Sequence, residues 1–199
     1  MPSEVCLPGY LSFPMSPLDD LFSGDDERAL AALERVTAGD LPELTSSLRH
    51  GDSAARAWAA AGLGRVPEAA AGLVLLSAAA DPDPEVRAAV FFALGQRRAV
   101  DAVIPLLFAL ADPSVYLARV AADALIQIGA PAVPALADAL EREAEPRVRV
   151  NLARALAQIA DPRAIPALFH ALEDESAVVQ HWADAGLERL GVGQVYFRP

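Results

Sequence analysis

Histidines and acidic side chains are the residues of this sequence whose types and spacing could bind a metal ion. The three histidines are His50, His170 and His181, and the last two flank an acidic stretch over residues 173–175. Imidazole and carboxylate groups brought together by a turn could ligate zinc. Isolated surface histidines and helix-capping acids explain the same residues, so we predict no metal site, no cofactor and no catalytic residue.

The cysteine and lysine content excludes further kinds of functional site. Cys6 is the only cysteine, so neither an intramolecular disulfide nor a thiolate metal site can form. All 16 basic residues are arginines, which excludes a lysine Schiff base and a phosphate loop that needs lysine. No serine, cysteine or carboxylate pair shows the pattern of a nucleophile or of an acid–base pair. These features argue against an enzyme.

The chain is acidic, with a net charge of −11 from 27 acidic and 16 basic residues. Sequence-independent nucleic-acid binding needs clustered bases, so this balance argues against it and favours a protein or peptide partner of basic character. Residues 1–10 lack a basic n-region. The charge-free stretch between Glu68 and Asp81 is shorter than the roughly 20 residues of a membrane-spanning helix. We therefore expect a cytoplasmic protein without a membrane partner.

A fixed period of 31 residues organises the chain. Five leucines recur at this spacing, each directly after a small residue: Leu63, Leu94, Leu125, Leu156 and Leu187. The residue four positions before each leucine is also apolar. A period in the range of about 20–50 residues indicates a repeat protein, whose units bury their apolar faces against one another.

Each repeat has the pattern of two helices joined by a tight turn. In the third repeat Ile104, Leu107 and Phe108 recur at helical spacing. The turn that follows, Asp112-Pro113-Ser114, offers side-chain oxygens that can cap the second helix. The predicted fold is all-α, an α-solenoid of stacked antiparallel helix pairs.

The repeat pattern divides the chain into three parts. Residues 1–16 form an apolar, proline-rich arm that we expect to be extended. This arm is either a floppy terminus or a segment that docks on its own array or on a partner. Residues 17–191 form the repeat domain, with one incomplete N-terminal unit and five full units. Residues 192–199 either cap the last apolar face or expose Tyr196 and Phe197 as a docking motif.

Two repeats resemble a known family. The residues that carry the likeness are Ile104-Pro105-Leu106-Leu107, Asp112-Pro113, Ala121-Ala122 and Ala124-Leu125 in the third repeat, with Pro166-Ala167-Leu168, Asp174, Leu187 and Gly191 in the fifth. This pattern is similar to the short bacterial HEAT-like repeat first described in phycobilin lyases, over about residues 41–191. The resemblance implies a helical solenoid. Its members serve as scaffolds, as adaptors and occasionally as enzymes.

The resemblance also implies a ladder of ion pairs between units. In this family an aspartate in the turn and an arginine in the second helix commonly bridge neighbouring repeats. Arg56, Arg87 and Arg149 occupy the arginine position, seven residues before the repeating leucine. Ala118 and Gln180 depart from the pattern in the third and fifth units.

The second helix of each repeat predicts a partner-binding surface. If the repeating leucine points into the core, residues six before, two before and two after it share the opposite face of the helix. In solenoids the second helices line the concave side, where extended partners bind. A solvated helix face would show the same polar residues. The candidate partner-binding residues are Arg65, Phe92, Gln96, Arg119, Asp123, Gln127, Arg154, Gln158, His181 and Arg189.

The predicted function is a non-enzymatic protein-binding scaffold, adaptor or complex subunit that uses this face, with the terminal arms as a further option. By resemblance alone, the alternative is a phycobilin-type chromophore lyase or its accessory subunit. A third reading is nucleic-acid binding, because HEAT-like DNA glycosylases use a basic concave face. Here Asp123 and Asp184 interrupt the basic residues. HEAT-type hydroxylases hold iron with His-Glu dipeptides, and no histidine in this sequence precedes glutamate.

Overall fold

The computed structural model describes residues 16–192. The predictions for the N-terminal arm before Ser16, and for Tyr196 and Phe197, lie outside these residues. The described part contains twelve α-helices and no strand. They are α1 (Pro17–Leu21), α2 (Asp26–Leu33), α3 (Leu41–His50), α4 (Ser53–Arg65), α5 (Ala69–Ser77), α6 (Pro84–Gln96), α7 (Val103–Ala109), α8 (Val115–Ile128), α9 (Val133–Arg142), α10 (Pro146–Ile159), α11 (Ile165–Ala171) and α12 (Ala177–Arg189).

The helices pack as pairs that stack in chain order, as a helical solenoid requires. Helices α1 and α2 form a short first pair, and α2 contacts α4. In the five pairs that follow we call the first helix of each the A helix (α3, α5, α7, α9 and α11). The second is the B helix (α4, α6, α8, α10 and α12). The predicted all-α solenoid is confirmed.

The repeating leucines form the spine of the core. All five are fully buried or nearly so, with at most 1% of their surface exposed, and so are the small residues that precede them. Because the period is constant, a given repeat position lies at the same place in every unit. Leucine fills this place in the core of each one. Each buried leucine contributes about 2–3 kcal/mol by removing apolar surface from water.

Side-chain caps mark the start of the first three B helices. The carboxylate of Asp52 accepts a hydrogen bond from the Ala55 amide at 2.8 Å, and that of Asp83 accepts one from the Glu85 amide at 2.8 Å. Pro84 follows its cap directly in the first turn of α6, where a missing amide N–H costs nothing. Ser114 caps α8 in the same way, whereas Glu145 and Ser176 make no side-chain cap at the start of α10 and α12.

Successive B helices approach closely because small residues face each other. A Cβ atom added to Gly95 would lie 2.8 Å from Cα of Ala124, so only glycine fits there. B helices pack against the next B helix along the whole array, whereas α5 and α7 make few contacts with each other. Because the B helices are the more closely spaced, the array curves towards them and the A helices lie on the outer side.

The third joint differs from the others. Ile126 occupies the position that is Gly64, Gly95 and Ala157 in other units, and α8 packs less extensively on α10 than other neighbouring B helices pack on each other. A branched side chain at this position holds two helices further apart than glycine or alanine does. The spacing of the B helices is therefore not uniform.

The ion-pair ladder implied by the resemblance is present at three joints. Nε of Arg149 lies 2.8 Å from Oδ2 of Asp174, and Arg56–Asp81 and Arg87–Asp112 repeat the arrangement at 2.9 and 3.4 Å. Each aspartate sits in the turn of the next unit, 25 residues further along the chain. The ladder arginines also donate to backbone carbonyls of their own turn.

In the third and fifth units, where Ala118 and Gln180 replace the ladder arginine, the contacts differ. Ala118 is buried and has no group with which to bridge to the fourth unit. The neighbouring Arg119 instead lies 3.4 Å from Asp123 on its own helix. Gln180 keeps the local half of the arginine's role, because its amide donates to the Asp174 carbonyl at 2.6 Å.

Candidate partner-binding surface

The predicted partner-binding residues divide by exposure. Seven are exposed on the B helices: Arg65, Phe92, Gln96, Arg119, Gln127, His181 and Arg189. Asp123 and Gln158 are half-buried. Arg154 is buried and is therefore a wrong prediction as a surface residue. The register predicts the side of the helix but not how closely the neighbouring helix covers each position.

Arg154 is buried because its side chain reaches the neighbouring B helix. Its side chain is 6% exposed, and Nη2 lies 2.9 Å from Oδ1 of Asp123. This contact is an ion pair by distance but is not aligned as a hydrogen bond, and neither Nε nor Nη2 has a hydrogen-bond partner among the described residues. Asp123 also faces Arg119 at 3.4 Å, so one carboxylate serves two guanidinium groups. Arg154 thus belongs to the joint between α8 and α10 rather than to the outer surface.

An apolar pocket lies on the B-helix face between α4, α6 and α8, and we call it the Phe92 pocket. Its volume is about 530 Å³. Phe92 is 50% exposed and Tyr116 65% exposed, and they stand on successive B helices. Alanines form the floor because only small side chains fit where B helices approach. The lining residues are Ala61, Glu85, Ala88, Ala89, Phe92, Tyr116 and Val120.

Tyr116 is a pocket residue that the sequence reasoning missed. It stands nine residues before the repeating leucine of its unit, the position that Glu85 holds in the preceding unit. The predicted set of exposed positions began at the residue six before the leucine, one helical turn after Tyr116. Carried one turn further towards the helix N-terminus, the same register would have included both Tyr116 and Glu85.

A second concavity lies at the opposite end of the same helices and is polar. It has a volume of about 570 Å³ and lies where Gly64 and Gly95 let successive B helices approach closely. Gln96 and Gln127 supply amide groups at equivalent positions of two units. Arg65 is held 3.0 Å from Glu34 of the first pair. The lining residues are Gly64, Arg65, Gly95, Gln96, Arg98 and Gln127.

Two properties of the described residues concern metal binding and membrane insertion. Residues 16–192 hold no group of three or more histidine, cysteine, aspartate or glutamate side chains placed to bind a metal ion. Over the same span no single helix is long and apolar enough to cross a membrane. Two consecutive helical segments, Val115–Ile128 and Ala130–Arg142, are together long and apolar enough to cross one, but the chain bends by 110° between them.

Comparison with known proteins identifies the repeats. A family model described as HEAT repeats matches residues 41–114 and 104–188. A search of curated protein sequences finds no significant relative.

Solved structures share the fold at low identity. A designed armadillo repeat protein in complex with the peptide (KR)4 is 20% identical, with 87% of this chain and 98% of that chain covered and a TM-score of 0.53. An engineered protein is 22% identical, with 89% and 96% covered and a TM-score of 0.57. The complex of CpcE and CpcF of phycocyanin lyase from Nostoc sp. PCC7120 is 21% identical, with 96% and 82% covered and a TM-score of 0.53.

Proposed function

The chain belongs to the HEAT repeat family, and from that premise we propose that it is a non-enzymatic scaffold that binds an extended segment of another protein along its B-helix face. The observation that carries this proposal is the Phe92 pocket. Two aromatic rings on successive B helices stand half or more exposed above a floor of alanines. Exposed aromatics beside an apolar recess are typical of a binding surface.

The pocket supplies the anchor of this binding mode. An apolar side chain of a partner would lie on the alanine floor between Phe92 and Tyr116 and would bury both rings. Aromatic side chains in such central recesses dominate the energy of protein interfaces, and their truncation typically costs about 2 kcal/mol or more. One well-filled recess can therefore provide much of the affinity.

The polar concavity at the other end of the same helices supplies hydrogen-bonding groups that can adapt to the backbone of a bound segment. Gln96 and Gln127 each offer one amide that both donates and accepts hydrogen bonds, as a peptide backbone does. Because the two residues hold the same position in neighbouring units, the same contact can be repeated along an extended chain. This repetition favours a segment that lies across the B helices.

Charge favours a basic partner. The net charge of −11 attracts basic segments and speeds their association at low salt. Glu85 stands at the edge of the Phe92 pocket, and no ion pair holds its carboxylate within the described part of the chain. A designed armadillo repeat protein of similar fold forms a complex with the peptide (KR)4, so this architecture can hold a basic peptide.

The alternatives gain less from the structure. The likeness to the CpcE–CpcF complex shows the fold alone, so the lyase alternative stays a prediction. For nucleic-acid binding, the B-helix face offers few free bases. Arg65 pairs with Glu34, Arg119 pairs with Asp123, and Arg154 is buried beside Asp123.

The test is to isolate the partner with the full chain and to measure binding of single variants by calorimetry. Phe92→Ala and Tyr116→Ala should each weaken the complex about tenfold or more without a change in melting temperature, because both rings are exposed. Val178→Ala is the matched control: it occupies the position of Tyr116 in the last unit and is 51% exposed. It should bind as the wild type does.

Two results would contradict the proposal. One is normal binding by both aromatic variants. The other is loss of binding only when residues 1–16 or 192–199 are deleted, in which case the terminal segments carry the function.

A further inference from the structure

One acid lies among the apolar residues of the Phe92 pocket. Of the seven residues that line the pocket, only Glu85 carries a charge. Glu85 is exposed, and within residues 16–192 its carboxylate makes neither an ion pair nor a hydrogen bond. The neighbouring base Arg119 on α8 lies 3.4 Å from Asp123 on its own helix. The pocket therefore has a negative charge that no group of the described part of the chain neutralises.

The repeat register places this carboxylate next to the aromatic rings. Glu85 and Tyr116 hold the same repeat position on the neighbouring helices α6 and α8, so they stand side by side near the N-terminal ends of these helices. Phe92 follows Glu85 by seven residues, which is two turns along the same face of α6. Among the five B helices, α6 alone combines an acid and an aromatic residue at these two positions.

The remaining lining residues are apolar and small. Alanines of α4 and α6 form the floor between the rings, and an aliphatic chain can lie on them. A wholly apolar side chain in this place would take water from the Glu85 carboxylate and supply no counter-charge, which costs free energy. The pocket therefore matches a side chain that has an apolar stem and a cationic end.

We propose that the side chain anchored in the Phe92 pocket is an arginine of the bound segment, an inference that rests on the proposed function. Its methylene stem supplies the apolar contact with the alanine floor, and its guanidinium lies between the Tyr116 ring and the Glu85 carboxylate. A planar guanidinium can stack on a ring and donate two hydrogen bonds to one carboxylate at the same time. The ammonium of lysine is a more strongly hydrated point charge, so the pocket selects arginine over lysine.

The surrounding charges permit a cation at this place. The N-terminal ends of helices carry a partial positive charge, which repels cations. At the start of α4 and α6 this charge is offset, because the carboxylates of Asp52 and Asp83 cap the two helices. A guanidinium beside Glu85 therefore meets a negative environment.

Binding of three octapeptides to the full chain, measured by calorimetry, tests the inference. They are (KR)4, octalysine, and a peptide with methionine in place of each arginine of (KR)4. The first two peptides carry the same charge, so general attraction to a chain of net charge −11 acts on both alike. We expect (KR)4 to bind about tenfold or more tightly than octalysine, and the methionine peptide to bind more weakly than (KR)4.

Single variants locate the preference in the pocket. Glu85→Gln, Phe92→Ala and Tyr116→Leu should each reduce the preference for (KR)4 over octalysine to about twofold or less. Tyr116→Leu keeps an apolar contact and removes the ring, so it tests stacking itself. Glu43→Gln is the matched control, because it removes the same charge from an exposed residue in the first turn of α3, on the A-helix side. It should keep the preference, and no variant should change the melting temperature.

Equal binding of (KR)4 and octalysine to the wild type, whether tight or too weak to measure, would overturn the inference. A preference that survives Glu85→Gln would also overturn it. Tighter binding of the methionine peptide than of (KR)4 would show an apolar anchor, which contradicts the inference and leaves the proposed function standing. The proposed function fails by a separate result, which is normal binding of the isolated partner by both Phe92→Ala and Tyr116→Ala.

Discussion

Arg154 on α10 places Nη2 2.9 Å from Oδ1 of Asp123 on α8, so a buried arginine joins the third unit to the fourth. This is the joint at which Ala118 removes the ladder arginine. Within the five full units, the three other joints have an arginine–aspartate pair at the turn. The joint between the third and fourth units is therefore held by an ion pair on the B helices in place of one at the turns.

The ladder pair between the fourth and fifth units should be the most costly to break. Arg149 and Asp174 are each 11% exposed at the side chain and share two hydrogen bonds of 2.8 and 3.2 Å. Arg149→Ala should lower the free energy of unfolding by about 2–3 kcal/mol, because it leaves a largely buried carboxylate without its partner. Urea unfolding measures the loss. Arg147→Ala changes an exposed arginine two residues earlier on the same helix and should cost less than about 0.5 kcal/mol.

Acid should weaken the same ladder. Burial raises the pKa of Asp174, but hydrogen bonds from Arg149 and from the Ser176 amide outweigh it, and the pKa falls below the ordinary value of 3.8. A lowered folded-state pKa adds stability above the unfolded-state value that is lost as pH falls through the folded-state value. Asp174→Asn should therefore be less stable than the wild type at neutral pH.

The difference between these two proteins should close as the pH is lowered through and below 3.8. Thermal unfolding at a series of pH values checks this. Asp138→Asn changes an exposed carboxylate and should show no such gap at neutral pH. A gap between Asp174→Asn and the wild type that stays constant to low pH would show that the asparagine acts through packing instead.

Much of the fold could be predicted from the sequence because it depends on contacts that repeat. The period places Leu125 and its counterparts in the core, and Asp83 caps its helix through residues two positions away. Arg154 could not be placed, because its burial depends on the distance between α8 and α10. That distance reflects the packing of many side chains, Ile126 among them. The exposure of Phe108 likewise follows from the spread of the A helices, which no single repeat encodes.

Two glycine-to-alanine substitutions should distinguish the effect of close helix packing on stability from the effect of helix propensity. Gly95→Ala would bring Cβ to 2.8 Å from the Ala124 backbone, so it should destabilise the protein by about 1–3 kcal/mol although alanine favours helices. Gly72→Ala meets only the Arg97 side chain, at 3.6 Å. It should raise the free energy of unfolding by about 0.5–1 kcal/mol. Stabilisation by both exchanges would contradict the close packing of α6 on α8.

The middle leucine should be far more sensitive than a residue two positions away. Leu125 is fully buried, and Gln127 is exposed on the B-helix face. Leu125→Ala should cost about 2–5 kcal/mol, and Gln127→Ala should change stability by less than about 0.5 kcal/mol. Chemical denaturation measures both. Equal losses would mean that the two side chains do not lie on opposite faces of α8.

Removal of Asp123 and removal of Arg154 should change the free energy of unfolding by unequal amounts. Asp123→Ala leaves the Arg154 guanidinium buried beside α8 with no carboxylate, so we expect a loss of about 1–3 kcal/mol. Arg154→Met keeps most of the buried volume, removes two guanidinium nitrogens that make no hydrogen bond, and leaves Asp123 half exposed beside Arg119. It should leave the free energy of unfolding unchanged or raise it by about 1 kcal/mol. If Arg154→Met proves the more destabilising of the two, the buried arginine contributes net stability to the joint between α8 and α10, and its desolvation is offset by contacts beyond Asp123.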